Sequence, residues 1–306
     1  MKNTKRKDIM TKILNMKKTC ILFYTLLLSV VILSTGEKVC AETFRIRVMT
    51  FNIRTMNADD GINKWTFRKD SVGAFINKVV PDFFGLQEAE YQQLKDVASA
   101  AKNYSWIGKG RDDGNTGGEF SPVFYLKSKY RVIQSGTFWL SQTPDVVSFG
   151  WDAVCRRVVS WAILHNMENK KEVLFANTHF DHVGQTAREQ SALLLKERLR
   201  TYAGTRPIIV TGDFNMFDTN TAYASMISYL YPMDDAWKVS RVKEGNNGTF
   251  HSFGSVAVAN RQKIDYIFLT PDLTVANTVV YNGDLGNGLW LSDHDPHYAD
   301  LIYYYK

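Results

Sequence analysis

Apolar and polar residues alternate along most of the chain after residue 43, and the period of the alternation predicts both strands and helices. Residues 65–80, 91–101 and 186–202 follow the helical period. In the longest of these helices, Leu193, Leu194 and Leu199 are predicted to face the core. Short apolar runs predict strands at 44–51, 83–86, 104–108, 123–127, 131–140, 158–165, 171–179, 207–212, 264–269 and 298–304.

Strands outnumber helices in this pattern, and the two are mixed along the chain. The arrangement favours a layered α/β sandwich, with sheets packed face to face and helices outside. Residues 42–306 contain no repeat, no low-complexity tract and no linker rich in proline or glycine, so we predict a single domain. Cys155 is its only cysteine. Stability must therefore come from a hydrophobic core, which a domain of this size buries readily.

Residues 1–41 have the composition of a secretion signal. Lysines precede a mostly apolar run at 21–33, which is shorter than the roughly 20 residues that a membrane span needs. Small side chains at 39 and 41 predict cleavage before Glu42 and export to the periplasm or the extracellular space. A lipid anchor on Cys40 is disfavoured because Glu37 and Lys38 are large and charged where small residues are expected before a lipidated cysteine. An uncleaved anchor is the weakest alternative. The start residue stays open between Met1, Met10 and Met16.

The charge of the chain belongs to this leader. The formal net charge is +6, and residues 1–41 hold eight basic and two acidic side chains. Residues 42–306 carry 29 basic and 29 acidic side chains and are neutral overall. Because affinity for a polynucleotide depends on neutralising several phosphates, the neutral domain disfavours nucleic acid as a partner.

Polar residues at the ends of predicted strands are the candidates for chemistry. Any one of them is most simply a turn or cap residue, but six such segments in one domain are hard to explain by turn chemistry. An Asp inside an apolar strand is also costly unless it is paired or ligates something. The segments are TFN at 50–52, LQE at 86–88, NTH at 177–179, GDFN at 212–215, IDYI at 264–267 and SDH at 292–294.

In order, the motifs TFNIR, LQE, NTHFDH, GDFN, IDYIF and SDHDP resemble those of the endonuclease/exonuclease/phosphatase superfamily. That group includes DNase I-like nucleases, bacterial neutral sphingomyelinases, inositol polyphosphate 5-phosphatases and deadenylase-type enzymes. The resemblance covers essentially all of residues 44–304 and, with the leader, suggests a secreted bacterial member. It implies a DNase I-like, four-layer α/β sandwich with two packed mixed sheets. It also implies hydrolysis of a phosphodiester, or of a phosphomonoester, by metal-assisted attack of water that depends on Mg²⁺ or Mn²⁺.

The resemblance also implies a metal site. Glu88 resembles the family's metal-binding glutamate, and a hard carboxylate suits Mg²⁺. Asn52 would either orient that carboxylate or bind the metal through its amide oxygen. Asp293 matches an acidic position beside the same metal.

The catalytic residues are carried over in the same way. His294 would accept a proton from the attacking water, or hold a phosphate oxygen as an imidazolium, and Asp265 would fix its tautomer. Asp213 would position or deprotonate the water, or bind a second metal. Asn215 would donate to the developing negative charge, and His179 would hydrogen-bond a phosphate oxygen in the transition state. Asp213 and Asn215 are predicted to lie in an extended segment at the end of a strand, where alternate side chains point to the same side.

Neighbouring polar residues receive weaker interpretations. Arg111 and Glu119 lie in a glycine-rich loop at 108–121, where they either contact the substrate or metal site or are ordinary loop residues. Arg188 is predicted either to pair with a carboxylate or to contact phosphate. Asp181 and His182 are interpreted as loop polarity, with support of the neighbouring site residues as the alternative, and Asp295 and His297 as turn formation.

Three substrate classes compete. A nuclease needs a basic groove, for which Arg156 and Arg157 are the only adjacent basic pair near a strand. A sphingomyelinase-type enzyme needs exposed apolar loops to enter a membrane lipid surface. The candidates are 138–140 and 303–305, although aromatic residues in strands more often belong to the core. A small phosphomonoester, a sugar phosphate or an inositol phosphate needs neither feature. An inactive binding module is disfavoured because the predicted catalytic residues are present. We also expect the protein to be a monomer.

Overall fold

The computed structural model describes residues 10–12, 15–17, 42–228 and 230–305. Most of the predicted leader, including the apolar run 21–33 and Cys40, lies outside the described residues, so the signal and its cleavage point stay predictions. Within the described part of the chain, no helix combines the length and the apolar character that crossing a membrane requires. Residues Thr43–Tyr304 form one compact unit.

Strands and helices alternate between residues 42 and 305. The strands are β1 Glu42–Asn52, β2 Phe83–Gln87, β3 Tyr104–Ile107, β4 Val123–Leu126, β5 Tyr130–Trp139, β6 Val158–Asn166, β7 Glu172–His179, β8 Ile208–Asp213, β9 Asp234–Asp235, β10 Lys243–Glu244, β11 Asp265–Leu269, β12 Leu273–Val280, β13 Asp284–Gly286, β14 Leu289–Trp290 and β15 His297–Tyr305. The helices are α1 Trp65–Val79, α2 Tyr91–Ala100, α3 Gln185–Ala203, α4 Thr221–Ile227 and α5 Ala236–Val239, with 3₁₀ turns at Gly61–Asn63 and Val258–Asn260.

Two large mixed sheets pack face to face and form the inner layers. One has the strand order β10-β12-β15-β1-β2-β4-β3 and the other β5-β6-β7-β8-β11-β9. A core that includes Val48, Phe83, Phe175 and Ile267 fills the space between them. Apolar residues of α1 and α2 pack on the outer face of the first sheet, and those of α3 and α4 on the outer face of the second. The predicted four-layer α/β sandwich is therefore confirmed.

A buried polar network joins the two sheets just below the strand ends. Gln87 on β2 donates from Nε2 to Asn177 Oδ1 on β7 at 2.7 Å, and Asn177 Nδ2 donates to the Leu86 carbonyl at 2.7 Å. Gly85 makes this contact feasible, since a Cβ there would lie 2.1 Å from Asn177 Oδ1. Because buried polar groups are costly when unpaired, the network favours one alignment of the sheets. The same alignment sets the distance between the two halves of the site.

Most predicted elements are present, with ends that move by one or two residues. One error concerns α3, where Leu193 is 49% exposed while Ala192, Leu195 and Leu199 are buried. Positions 192, 195 and 199 are spaced by three and four residues and so share one helix face, from which Leu193 is displaced. The pattern also missed β12 and α4. Of the two interpretations of 138–140, the core interpretation is confirmed, because Phe138, Trp139 and Leu140 are buried.

Arg68 ties two site-bearing segments to the first sheet. This buried α1 residue donates from Nη1 to the Ile53 carbonyl at 3.0 Å and to the Leu291 carbonyl at 2.6 Å, and from Nε to the Asn63 carbonyl at 2.5 Å. Burial lowers the pKa of its guanidinium to about 10, which leaves it charged at neutral pH.

Replacing Arg68 with methionine should leave these buried carbonyls without donors. Since each such group costs about 1–3 kcal/mol, we expect the free energy of unfolding to fall by roughly 3 kcal/mol or more. Urea denaturation followed by circular dichroism measures the change. Lys69→Met, on the next residue of the same helix, is the control and should stay within about 0.5 kcal/mol of the parent. Equal stability of the two variants would contradict this account of Arg68.

Candidate active site

The strand register brings the predicted polar tips to one end of the sandwich. In the first sheet, parallel strands β1 and β2 pair Asn52 with Gln87, and Glu88 follows directly. In the second sheet, His179 at the end of β7 and Asp265 at the start of β11 both pair with Asp213, the last residue of β8. The segments that sequence analysis singled out therefore converge, each sheet contributing one half of the site.

The converging ends form the floor and walls of a cleft of about 640 Å³. Its volume lies within the range of about 300–1,000 Å³ that is usual for small-molecule sites. The lining residues include Arg54, Glu88, Arg111, Glu119, Arg157, His179, His182, Arg188, Asp213, Asn215, Phe217, Phe250, Asp293 and His294.

Three cleft residues adopt left-handed backbone conformations, with φ of 56° at Arg54, 58° at Glu88 and 47° at Asn215. Such values are uncommon for residues other than glycine and concentrate at functional sites. They turn the chain sharply after the strand ends. The extended tip predicted for Asp213 and Asn215 is therefore wrong, although both side chains do line the cleft.

Asn52 links the two halves of the site. Its Nδ2 donates to Glu88 Oε1 at 3.0 Å and to Asp213 Oδ2 at 3.0 Å. Its Oδ1 instead accepts the backbone N–H of Arg54 at 3.0 Å. Of the two roles left open for Asn52, this geometry favours orientation of the carboxylate, because the amide oxygen faces the backbone.

The Glu88 carboxylate is held in its ionised form. Burial alone would raise its pKa, but the charge of His294 and hydrogen bonds from Asn52 and the Thr55 backbone hold the pKa below its usual range. Arg54 lies between this carboxylate and Asp293, with Nη1 3.7 Å from Glu88 Oε2 and Nε 3.8 Å from Asp293 Oδ2.

His294 and Asp265 form a buried pair that faces Asp213. His294 Nδ1 lies 2.8 Å from Asp265 Oδ2, and its Nε2 lies 3.8 Å from Asp213 Oδ2. Burial opposes a charge on the ring, yet the Asp265 carboxylate and its hydrogen bond, with Asp293 and Asp213, raise the pKa of His294 well above its ordinary value. Burial and the charge of Asp265 raise the pKa of Asp213 to about 7. These shifts suit His294 to act as a proton donor and Asp213 to act as a proton acceptor.

His179 lies on the other side of Asp213. Its Nε2 is 3.6 Å from Asp213 Oδ2 and 3.0 Å from Asn215 Nδ2, which also contacts the Phe180 carbonyl at 3.0 Å. Burial and the neighbouring charge of Arg157 keep the pKa of His179 well below its ordinary value, so the ring is neutral. With Nε2 accepting from Asn215, the proton lies on Nδ1. Asn215 therefore orients His179, and its direct contact with a phosphate stays a prediction.

The donor set fits a hard divalent cation. Glu88 and Asp293 supply carboxylate oxygens, and burial together with the charge of Glu88 raises the pKa of Asp293. A cation between these like charges would relieve their repulsion. A second group, made of Asp213, Asp265 and His294, presents ligand atoms within 4.8 Å of one another. The buried Asp/His cluster can therefore bind a metal, while the identity of the ion stays a prediction.

Arg111 and Glu119 lie on the wall of the cleft beyond His179. Arg111 Nη1 contacts Glu119 Oε2 at 2.5 Å, and the same oxygen is 3.8 Å from His179 Nδ1. Burial and the charge of Glu88 outweigh the attraction of Arg111 and raise the pKa of Glu119. Both residues thus border the reactive centre, as a substrate contact requires.

Several flanking residues are buried, which their interpretations as loop polarity or turn formation did not predict. Asp181 is buried, and its carboxylate accepts four backbone N–H groups, which organises the loop after β7. Asp295 is buried in an ion pair with Arg261 at 2.8 Å, and His297 is buried against Thr278 Oγ1 at 2.7 Å. Their neighbours in sequence gave no sign of these distant partners. Arg188 donates to the Asp181 carbonyl at 2.8 Å and lines the cleft.

Arg54 was given no role from the sequence, and Arg157 was considered only for the basic groove of a nuclease; the structure brings both into the cleft. Arg54 was visible as the last residue of TFNIR, and Arg157 as half of the basic pair before β6. The signal was therefore present, but no local feature distinguished either residue from a solvated arginine.

A carboxylate-rich cleft at one end of two packed sheets defines the class of DNase I-like hydrolases. The Endonuclease/Exonuclease/phosphatase family matches residues 49–294, and the chain belongs to this family. Members of the family are hydrolases that act on phosphoester bonds, typically with a divalent metal.

Solved structures of similar proteins also belong to this fold and family. A Bacteroides vulgatus member of the family is 42% identical over 84% of this chain and 98% of its own, with a TM-score of 0.82. A mannosyl-6-phosphatase of Bacteroides thetaiotaomicron is 34% identical over 84% of this chain and 99% of its own, with a TM-score of 0.78. Among curated proteins, an uncharacterised mimivirus protein, L388, is 30% identical over 52% of this chain and 63% of its own length. The chain spans less than two thirds of the length of the curated relatives it matches.

Proposed function

We propose that this protein is a Mg²⁺- or Mn²⁺-dependent hydrolase that removes phosphate from a small hydroxylated phosphomonoester, with a sugar phosphate as the best candidate. The observation that carries the proposal is the buried His294–Asp265 pair, which faces Asp213 beside the carboxylates of Glu88 and Asp293. Together these groups provide a base, an acid and a site for a cation at one point.

The cleft and the charge of the domain favour a small substrate. A volume of about 640 Å³ suits a small ester. Residues 42–306 carry no net charge, which argues against a polynucleotide. One of the two segments considered for membrane insertion, 138–140, is buried. The similarity to the mannosyl-6-phosphatase supports a sugar phosphate in particular.

The residues act as follows in this proposal. Water attacks phosphorus, the ester P–O bond breaks, and the products are inorganic phosphate and the alcohol. Asp213, with its pKa of about 7, accepts the proton of the attacking water. His294, as an imidazolium, donates its Nε2 proton to the leaving oxygen, which departs as the alcohol. His179 donates from Nδ1 to a phosphate oxygen. A divalent cation held by Glu88 and Asp293 would neutralise phosphate charge.

We also propose that the enzyme is exported. The support is the lysine-rich and apolar sequence of residues 1–41 and the small side chains before Glu42. Mass spectrometry of the N-terminus of the secreted protein tests this point, with Glu42 expected as the first residue.

A substrate panel tests the activity. The purified protein, with Mg²⁺ or Mn²⁺, is assayed on hexose 6-phosphates, p-nitrophenyl phosphate, bis-p-nitrophenyl phosphate, inositol phosphates, oligonucleotides and sphingomyelin. We expect the highest kcat/KM on a hexose phosphate, and no activity on it from Asp213→Asn. A higher kcat/KM on an oligonucleotide or on sphingomyelin would replace the proposal with the corresponding alternative.

A further inference from the structure

Arg157 is a buried cation whose hydrogen-bonding capacity is mostly unused. Its side chain is 5% exposed and lines the cleft. Nη2 contacts His182 Nδ1 at 3.1 Å, whereas Nε and Nη1 have no hydrogen-bond partner among the described residues. The nearest carboxylate oxygens are 3.6 Å from Nε, on Asp181, and 3.9 Å from Nη1, on Glu119. These distances exceed those of hydrogen bonds, and buried donors of this kind are rare.

Glu119 offers the complementary acceptor. Its contacts with Arg111, Arg157 and His179 all involve Oε2, so Oε1 is available to a ligand. The loop around it is held in place, because the Arg111 N–H donates to the Glu119 carbonyl at 3.1 Å and Trp139 Nε1 donates to the Arg111 carbonyl at 2.8 Å. The Glu119 carboxylate is therefore held at a fixed place on the cleft wall.

The position of this pair relative to the reactive centre is set by His179. One ring nitrogen of His179 is 3.6 Å from Asp213 Oδ2 and the other is 3.8 Å from Glu119 Oε2. Glu119 and its neighbour Arg157 are therefore separated from Asp213, the carboxylate proposed to activate water, by the width of the His179 ring. Because Asp213 and His179 are proposed to contact the reacting phosphate, a group on the far side of His179 can reach the alcohol portion of the bound ester.

The chemistry of the wall indicates what that alcohol carries. Two guanidinium groups, Arg111 and Arg157, face two carboxylates, Glu119 and Asp181, so the wall is not a site for a second strong anion. A hydroxyl group both donates and accepts hydrogen bonds, which matches an arginine donor beside a carboxylate acceptor. Adjacent hydroxyls of a sugar use both partners at once.

We propose that Arg157 and Glu119 form a leaving-group subsite that selects a sugar phosphate by hydrogen-bonding its hydroxyls. The inference rests on the proposed phosphatase function and names the residues that give it specificity. A site built to bind a hydroxyl discriminates strongly against analogues without it, because its own buried polar groups are then left unpaired.

Arg157→Met tests the subsite with two substrates. For a hexose 6-phosphate we expect kcat/KM to fall about 10- to 100-fold, mostly through KM, the size expected for a hydrogen bond from a charged group. For p-nitrophenyl phosphate, whose leaving group has no sugar hydroxyls, kcat/KM should stay within about threefold, because burial, the larger cause, still keeps His179 neutral without the charge of Arg157. The parent protein should also discriminate against deoxy-hexose 6-phosphates lacking one hydroxyl, and Arg157→Met should lose part of that discrimination.

Arg156→Met is the matched control. Arg156 is the adjacent arginine, pairs with Asp112 at 3.5 Å and lies over the ring of Phe149, outside the cleft lining. The Arg156→Met variant should keep the kcat/KM of the parent protein on both substrates. If Arg157→Met fails to fold, as judged by its thermal midpoint, Arg157→Lys keeps the charge, loses the fork geometry and should show the same selective loss at smaller size.

The outcomes separate the two proposals. An equal loss on both substrates, or no loss on the hexose phosphate, would overturn the subsite. A parent protein that hydrolyses p-nitrophenyl phosphate but no sugar phosphate would overturn the proposed substrate and the subsite together. A parent protein that hydrolyses no phosphomonoester would overturn the proposed function itself.

Discussion

Replacing His294 with alanine is expected to lower kcat by about 10²- to 10⁴-fold, the range that a general acid or base contributes. The side chain is buried, its Nδ1 lies 2.8 Å from Asp265 Oδ2, and its Nε2 faces Asp213 at 3.8 Å. Alanine removes the proton donor and also leaves the Asp265 carboxylate without its partner. Phosphate release from the best substrate of the panel measures the effect.

A graded variant and a control accompany this change. Asp265→Asn keeps the shape of the pair and weakens the support for the imidazolium, so its loss should be smaller, about 10- to 100-fold. His165→Ala removes a histidine that also pairs with a carboxylate, Glu172 at 3.1 Å, but lies on β6 outside the cleft lining. It should keep nearly full activity. A loss of less than tenfold for His294→Ala would show that the proposed role is misassigned.

Removal of the metal is the second large effect that we expect. Chelation with EDTA should abolish hydrolysis, and Mg²⁺ or Mn²⁺ should restore it. The carboxylates of Glu88 and Asp293 repel a phosphate, and only a cation between them and the phosphate removes that repulsion. Glu88→Gln keeps the side-chain volume and removes the charge. We expect it to raise the metal concentration for half-maximal activity by at least about 100-fold, above the 10- to 100-fold typical of residues that only support a ligand.

Calorimetric titration with Mn²⁺ measures binding independently of turnover. It should detect binding to the parent protein and much weaker binding to Glu88→Gln. Glu168→Gln, in the exposed turn between β6 and β7, is the matched control and should bind as the parent does. Activity that is indifferent to chelation would rule out the metal-dependent mechanism.

The residues of the candidate site were predictable from the sequence where they lie at the ends of predicted strands. Asn52, Glu88, His179, Asp213 and His294 each follow or end an apolar run, and that change of pattern is visible locally. The fold class was predictable for a related reason, since burial imposes the period of each element on its own sequence. Leu193 shows where this prediction fails. It was expected to face the core with Leu194 and Leu199, but it lies off the buried face of the helix.

The sequence by itself determined the elements, the order of the motifs and the set of polar residues at the strand ends, because these depend on neighbours within a few positions. Only the tertiary structure decided that Asn52 Nδ2 would bridge Glu88 and Asp213, that residues 138–140 would be buried, and that Arg157 would line the cleft with free donors. Asn52 and Asp213 are 161 positions apart. Contacts of this kind arise from the packing of two sheets, and no local pattern encodes which side chains then meet.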